Sequence, residues 1–280
     1  MISFSLITCT YNAAAELPPT IKSVEAQTYQ AVEHLIIDGA STDETLSMVE
    51  TYRERAAGGS HQVVIRSERD RGLYDAMNKA LSLATGDYLV FLNAGDSLPA
   101  PDTLERIAEG IEAAGYQGEK LPGVLYGQTH IVDSNRQFVG QRHLTAPDKL
   151  SWRSFRWGML VCHQAFYVRT DLVRSLHYDL RYRYSADFDW CIRVLKKCEE
   201  QGLAIHNTHL VVADFLQGGM TTEYHHASLK ERYHVMCRHY GTIPSLFMHG
   251  WFAVRALSRK FSIKKVRHYF QTSSDAQAYV

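Results

Sequence analysis

The sequence predicts an α/β fold: a mixed, mostly parallel sheet flanked by helices, followed by a helical C-terminal extension. Three observations carry this. Over the first hundred residues short apolar runs alternate with amphipathic segments, as strands and helices do around a largely parallel sheet. Between Val124 and His143 shorter runs, broken by the turn residues Asp133-Ser134-Asn135, read as antiparallel strands, which makes the sheet mixed. Past Gly218-Gly219 the chain becomes helical and basic. The expected division is an α/β domain over 1–222 and a basic helical extension over 223–280.

Each element has a local reason. Phe4 to Cys9 is an apolar strand, and the next helix is approached through Pro18-Pro19, where the missing N–H had no helical partner to lose. His34 to Asp38 is a second strand. Ser41 and Glu44 are then spaced as a capping box for a helix carrying Leu46, Val49 and Tyr52. His61 to Arg66 is the third strand. Ala76, Met77, Ala80, Leu81 and Ala84 form a helical apolar stripe that Gly86 is expected to end. Asp87 to Leu92, the most apolar strand of this half, stops at Asn93-Ala-Gly-Asp96. Pro101 opens a helix with Leu104, Ile107 and Ile111 at helical spacing, ending near Gly115. Ala186 to Gln201 is helical, with Cys191, Val194, Leu195 and Cys198 on its buried face, and Ala204 to Ala213 is a late strand.

Composition excludes several classes. With 280 residues, 45% hydrophobic and 21% charged, the chain can bury a large core and is not a disordered polymer. Thirty Lys and Arg against thirty Asp and Glu give zero net charge, which argues against nucleic acid as a general partner. Eight of the cations nevertheless fall between Arg232 and Arg267, with no acid before Asp275. Mixed with Phe247, Trp251 and Phe252, this stretch suits an anionic membrane surface; a solvated basic face is the alternative. Five cysteines without a CxxC pair indicate neither a disulfide framework nor a zinc ribbon, so a reducing compartment is expected. No run approaches the roughly 18 apolar residues of a membrane span, and the first residues lack a basic leader. The expected location is cytoplasmic, with the basic tail at the inner face of the plasma membrane.

In open α/β sheets ligands gather at the carboxyl ends of the strands, and here those ends carry acids. Asp38 closes the second strand, Asp70 lies beyond the third and Asp96 beyond the fourth. Neither GxGxxG nor a Walker A sequence is present, which disfavours dinucleotide oxidoreduction and ATP hydrolysis. A nucleoside diphosphate can instead be held through Mg²⁺ or Mn²⁺, which takes one or two carboxylates plus the substrate's own phosphates. Asp96 is placed for that role.

Five segments, in order, resemble the motifs of family 2 glycosyltransferases. They are Thr8-Cys-Thr-Tyr-Asn12, Ile37 to Thr45, Asp70 to Lys79, Gly86 to Asp96 and Ser185-Ala-Asp-Phe-Asp189. The resemblance is nearest to bacterial members from polysaccharide clusters such as colanic acid. It implies a GT-A (Rossmann-like) fold, a nucleotide-sugar donor, inversion at the transferred sugar and a divalent metal. By position, Thr8, Tyr11 and Asp38 would border base and ribose, and the Asp70 to Gly72 loop would lie beside the nucleotide. Asn93 to Asp96 would replace the metal-binding DxD element, with Asp96 as its carboxylate ligand. Asp187 would be the base, and His163, Gln164, Gly218 and Gly219 would lie near donor sugar or acceptor. Asp187 and Asp189, two apart on a helix, point about 200° from each other, so one of them faces a cleft. Two departures stand out: Asp38-Gly-Ala-Ser41 replaces Asp-Asp-Gly-Ser, and Asn93 and Gly95 occupy the first and third DxD positions. The implied reaction moves a sugar from a UDP- or GDP-linked donor to a surface-polysaccharide or lipid-linked oligosaccharide hydroxyl. The alternative is a catalytically silent nucleotide-sugar-binding subunit, motivated by the thinned metal element. The structural competitors are plain: Asp187 and Asp189 as first-turn acids on a helix dipole, and His163 as a core histidine.

Overall fold

The computed structural model describes residues 1–218 and 224–255. In chain order it contains β1 (Phe4–Thr10), α1 (Leu17–Glu25), β2 (Val32–Asp38), α2 (Thr45–Ala56), β3 (Gln62–Ser67), α3 (Leu73–Leu83), β4 (Tyr88–Phe91) and α4 (Thr103–Ala113). Then follow β5 (Val124–Val132), β6 (Phe138–Gln141), β7 (Phe166–Arg169), α5 (Thr170–Val173), α6 (Ala186–Glu200), β8 (Ile205–Leu216) and α7 (His225–Tyr240). Residues 242–255 are also helical. The strands form one sheet in the order β3-β2-β1-β4-β7-β5-β6, and β8 pairs with β5. β3, β2, β1 and β4 are mutually parallel, β7 is antiparallel to β4 and β5, and β8 runs parallel to β5. The mixed, mostly parallel GT-A arrangement expected from sequence is the one observed.

Every residue of β1, β2 and β4 is buried, as in parallel strands covered by helices on both faces. α1 and α2 pack Leu17, Ile21, Val49 and Tyr52 against Ile36 of β2. On the other half of the sheet Phe91, His163, Tyr178 and Trp190 stack into an aromatic cluster, with Tyr178 and Trp190 rings 4.8 Å apart. Such a cluster fixes the approach of α6 to β4 through large, stiff side chains. All five cysteines are free.

Two local expectations are corrected. Ser41 does not cap α2: the helix starts at Thr45, and the Ser41 hydroxyl donates to Asp38 while accepting the Asn12 N–H at 2.9 Å. Gly86 does not end α3, which stops at Leu83 with Ala84 extended. Gly86 is needed for close approach instead, because a Cβ there would lie 2.8 Å from the Ser5 amide nitrogen. The polar end of the sheet is held by Glu33, which accepts from the Ser5 hydroxyl and the Thr85 and Gly86 amides.

By contacts the chain divides into Met1–Glu231 and Arg232–Val280. The first turns of α7 belong with the first unit for a visible reason. Glu231 accepts the Arg183 and Tyr184 amides at 2.9 and 2.8 Å, and Ser228 bonds the Ser185 hydroxyl at 3.1 Å. Among the described residues no helix is long and apolar enough to cross a membrane.

Candidate active site

Asp38 ends β2 fully buried. It accepts from Thr10 Oγ1 at 3.1 Å, Ser67 Oγ at 2.7 Å and the Ser41 amide at 3.0 Å. Burial pushes its carboxyl up, but the bonds from Ser41, Ser67 and Thr10 outweigh burial and hold it below the usual carboxylate range. Asp38 is thus an ionised post around which the β1 and β2 loops fold. Tyr11 projects from this base, well exposed, and Asn12 takes a left-handed φ of 48° with its Oδ1 accepting the Thr42 amide at 2.8 Å. Asp70 accepts the Gly72 amide at 2.8 Å and closes onto Gly39. A Cβ at Gly39 would meet Asp70 Oδ2 at 2.5 Å and the Tyr11 ring at 3.4 Å, so the glycine admits both.

The Asn93 to Asp96 turn follows β4, closed by the Asp96 amide donating to the Asn93 carbonyl at 2.9 Å. Asp96 is buried; its Oδ1 accepts the Leu216 amide at 2.9 Å and its Oδ2 the Gln164 amide at 2.7 Å. Burial pushes its carboxyl up to about 7, against the opposing pull of those two bonds and of the Arg136 charge. Arg136, from the β5–β6 turn, donates to the Gly95 carbonyl and the Ser97 hydroxyl, fixing a cation beside this turn. Gly95 has φ of 95°, and a Cβ on it would strike Leu216 Cδ2 at 2.8 Å. A second acid at position 95 has neither the backbone nor the space.

The donor set for a metal is consequently small. Among the described residues no three of His, Cys, Asp and Glu converge on one point. Asn93 Oδ1, however, is buried with no hydrogen-bond partner, an unpaid acceptor in the same turn as Asp96. One carboxylate and one orphan amide oxygen suit a hard cation that brings most of its oxygen ligands from a diphosphate.

Across the sheet, Asp187 and Asp189 separate as helical geometry requires. Asp189 is fully buried and paired with Arg193 at 2.6 Å. Asp187 is partly exposed, and its Oδ1 accepts the Tyr74 hydroxyl of α3 at 3.1 Å. Burial and the Asp187 charge push the Tyr74 phenol well above its ordinary value, so it keeps its proton and donates it. Tyr74 stacks on Tyr178, and Asn78 clamps Tyr178 through both backbone groups at 3.1 and 2.6 Å.

Other expected site residues lie deeper. Thr8 is completely buried, its hydroxyl donating to the Leu92 carbonyl at 2.8 Å and facing His34 Nε2 at 2.9 Å. His163 stacks on Phe91 with Nε2 2.9 Å from the Tyr178 hydroxyl, and burial lowers its basicity. Thr8 and His163 are thus held in the core by these bonds. Gln164 is likewise buried and spends its amide on Asp96. Gly218, at φ of 119°, has open space around its α-carbon, and Gly219 lies outside the described residues. Sequence reasoning missed Arg136, Tyr74 and Glu231. Only Tyr74 had a signal, its place inside the Asp70 to Lys79 segment.

Comparison with known proteins places the chain in a family. The model of "Glycosyl transferase family 2" matches residues 5–173. A PGL/p-HBAD biosynthesis glycosyltransferase of Mycobacterium tuberculosis is 36% identical over 218 residues, 77% of each chain. The amylovoran biosynthesis glycosyltransferase AmsB of Erwinia amylovora is 26% identical over 197 residues, 70% of this chain and 64% of that one. Among solved structures, S. aureus TarS 1–349 in complex with UDP-GlcNAc superposes with TM-score 0.64 at 20% identity, over 84% of this chain and 64% of its own length. The mannosyltransferase PcManGT of Pyrobaculum calidifontis, in complex with GDP-Man and Mn²⁺, gives TM-score 0.57 at 18% identity, covering 84% and 62%. The chain thus spans under two thirds of either solved neighbour.

Proposed function

Because the chain belongs to glycosyl transferase family 2, we propose that it transfers one sugar from a UDP- or GDP-linked donor, with inversion, to a hydroxyl of a surface glycan or lipid-linked oligosaccharide. The observation that supports this most is the pairing of Tyr74 with Asp187. One carboxylate oxygen is held at 3.1 Å by a phenol that keeps its proton, and the other is left for a substrate hydroxyl. Asp187 takes the acceptor proton as the acceptor oxygen bonds the anomeric carbon. The bond from that carbon to the diphosphate breaks on the opposite face, and its electron pair leaves with the diphosphate. Tyr11, Asp38, Asp70 and Gly72 would seat the nucleoside, Tyr11 by stacking and the Asp38 post by holding the loops. Asp96 and the Asn93 amide oxygen would hold a Mg²⁺ or Mn²⁺, which when bound offsets charge on the leaving diphosphate. Arg136 adds a fixed positive charge beside the same turn. Relatives named for PGL/p-HBAD and amylovoran biosynthesis support a role in glycan biosynthesis, and neighbours in complex with UDP-GlcNAc and GDP-Man support the donor class.

A second reading, a silent nucleotide-sugar-binding subunit, draws on one observation: both Asp96 oxygens already accept hydrogen bonds. Calorimetric titration of UDP and GDP with and without Mn²⁺, on the native chain and on Asp96→Ala, tests the donor site. Metal-dependent binding of one nucleotide, lost in Asp96→Ala, is expected; binding of neither sinks both readings. Sugar transfer that Asp187→Asn abolishes while nucleotide binding survives supports the enzyme. Binding without turnover in the native chain selects the silent subunit.

A further inference from the structure

The helix over residues 242–255 carries a stripe of large apolar side chains on its exposed side. Taking about 100° per residue, Leu246, Gly250, Ile243, Val254, Phe247 and Trp251 fall on one arc of about 140°. All six are exposed, Phe247 at 76%. The opposite side is mixed: Met248 and Phe252 are half-buried there, beside Ser245, buried and bonded to the Gly241 carbonyl at 2.7 Å, and His249, whose Nδ1 meets the Ser245 carbonyl at 3.0 Å and whose ring meets Tyr233. No Asp, Glu, Lys or Arg occurs from 239 to 254. A surface helix of a water-soluble protein turns charged and polar residues outward instead. Five large apolar side chains in one exposed stripe mark an interaction face, not the scattered exposure usual at surfaces.

We propose that this stripe, led by Phe247 and Trp251, inserts at the interface of an anionic lipid bilayer. Two features of the chain select that occupant. Arg255, Arg259, Lys260, Lys264, Lys265 and Arg267 follow immediately, and no acid precedes Asp275, so the apolar stripe is continued by a cationic sequence. Such a combination binds anionic lipid through buried apolar area plus attraction to the headgroups. Over its described residues 242–255 the helix is about 21 Å long, and among the described residues no helix is long and apolar enough to cross a membrane. The inference is independent of the transfer chemistry, because vesicle binding and turnover are read separately.

The test is flotation of the full chain with vesicles of equal parts phosphatidylglycerol and phosphatidylcholine, and with phosphatidylcholine alone. The native chain is expected to float with the anionic vesicles and markedly less with the neutral ones. Phe247→Ser and Trp251→Ser are each expected to lower partitioning about tenfold, the worth of one large apolar side chain returned to water. Lys264→Glu with Lys265→Glu should weaken binding to anionic vesicles and leave the small neutral-vesicle binding as it was. Nucleotide binding of every variant should match the native chain, which shows that the fold is kept. Failure of the native chain to float overturns the proposal, as does undiminished flotation of Phe247→Ser/Trp251→Ser. A native dimer in sedimentation that the same double variant turns into a monomer also overturns it, assigning the stripe to a second copy.

Discussion

Replacing Asp96 by Asn should stabilise the metal-free protein at alkaline pH, and the size of the effect follows from the site. Asp96 is buried, and its carboxyl is pushed up from 3.8 to about 7. The folded protein holds that proton up to about pH 7, whereas the unfolded chain releases it near its ordinary value. Unfolding therefore releases a proton across this window, so the stability Asp96 contributes is full at low pH and falls as pH rises toward the folded value. Between about pH 5 and about pH 8 the linkage relation gives a loss of about 2.5 kcal/mol, at about 1.4 kcal/mol per unit. Asn keeps the acceptor for the Leu216 amide and does not titrate. Urea unfolding in chelator-containing buffer at both pH values, native against Asp96→Asn, isolates the term. Relative to the variant, the native chain should lose about 2.5 kcal/mol at unchanged denaturant slope. An identical difference at both pH values would refute the account of Asp96 as a carboxyl held in a dry turn. The same substitution should remove metal-dependent nucleotide binding, so stability and function pull against each other at one atom pair.

Two further outcomes follow from neighbouring geometry. Gly39→Ala pushes Asp70 off its Gly72 amide, a hydrogen bond worth about 1 to 1.5 kcal/mol; nucleotide affinity should fall roughly tenfold in calorimetry while the melting temperature drops only a few degrees. His34, fully buried between Thr8 and Tyr52, has its imidazole lowered to about 3 by burial, so it stays neutral in the fold while the unfolded chain takes up a proton below about pH 6.5. Its contribution is present above that value and lost as pH falls, about 3 kcal/mol by about pH 4, and His34→Gln should flatten this acid limb in chemical denaturation.

What the sequence disclosed is what local pattern can encode. Apolar runs placed β1 to β4 within a residue or two, and helical spacing separated Asp187 from Asp189. What escaped depends on meetings between distant segments. Ser41 and Glu44 have capping-box spacing, yet Asp38 and Asn12 compete for the serine and win. Gly86 and Gly95 look like a helix stop and a missing acid until Ser5 and Leu216 are seen pressing on them. Arg136 has no motif to advertise it, and that Gln164 bonds Asp96 is visible only in the fold; both act on the Asp96 turn from far along the chain.

That reach sets when the protein can first work. Asp96 receives its partners from Gln164 and from Leu216, 68 and 120 residues downstream, and Tyr74 waits 113 residues for Asp187. The end of the loop before α6 is tied down by Glu231 and Ser228, later still in the chain. A chain leaving the ribosome thus carries complete β1, β2 and β4 strands long before it can assemble the residues those strands present. Closing such long loops costs entropy that short-range contacts do not. Truncated or half-synthesised copies should accordingly be inert toward the donor, and donor-binding competence should emerge in a single late step once α7 has docked.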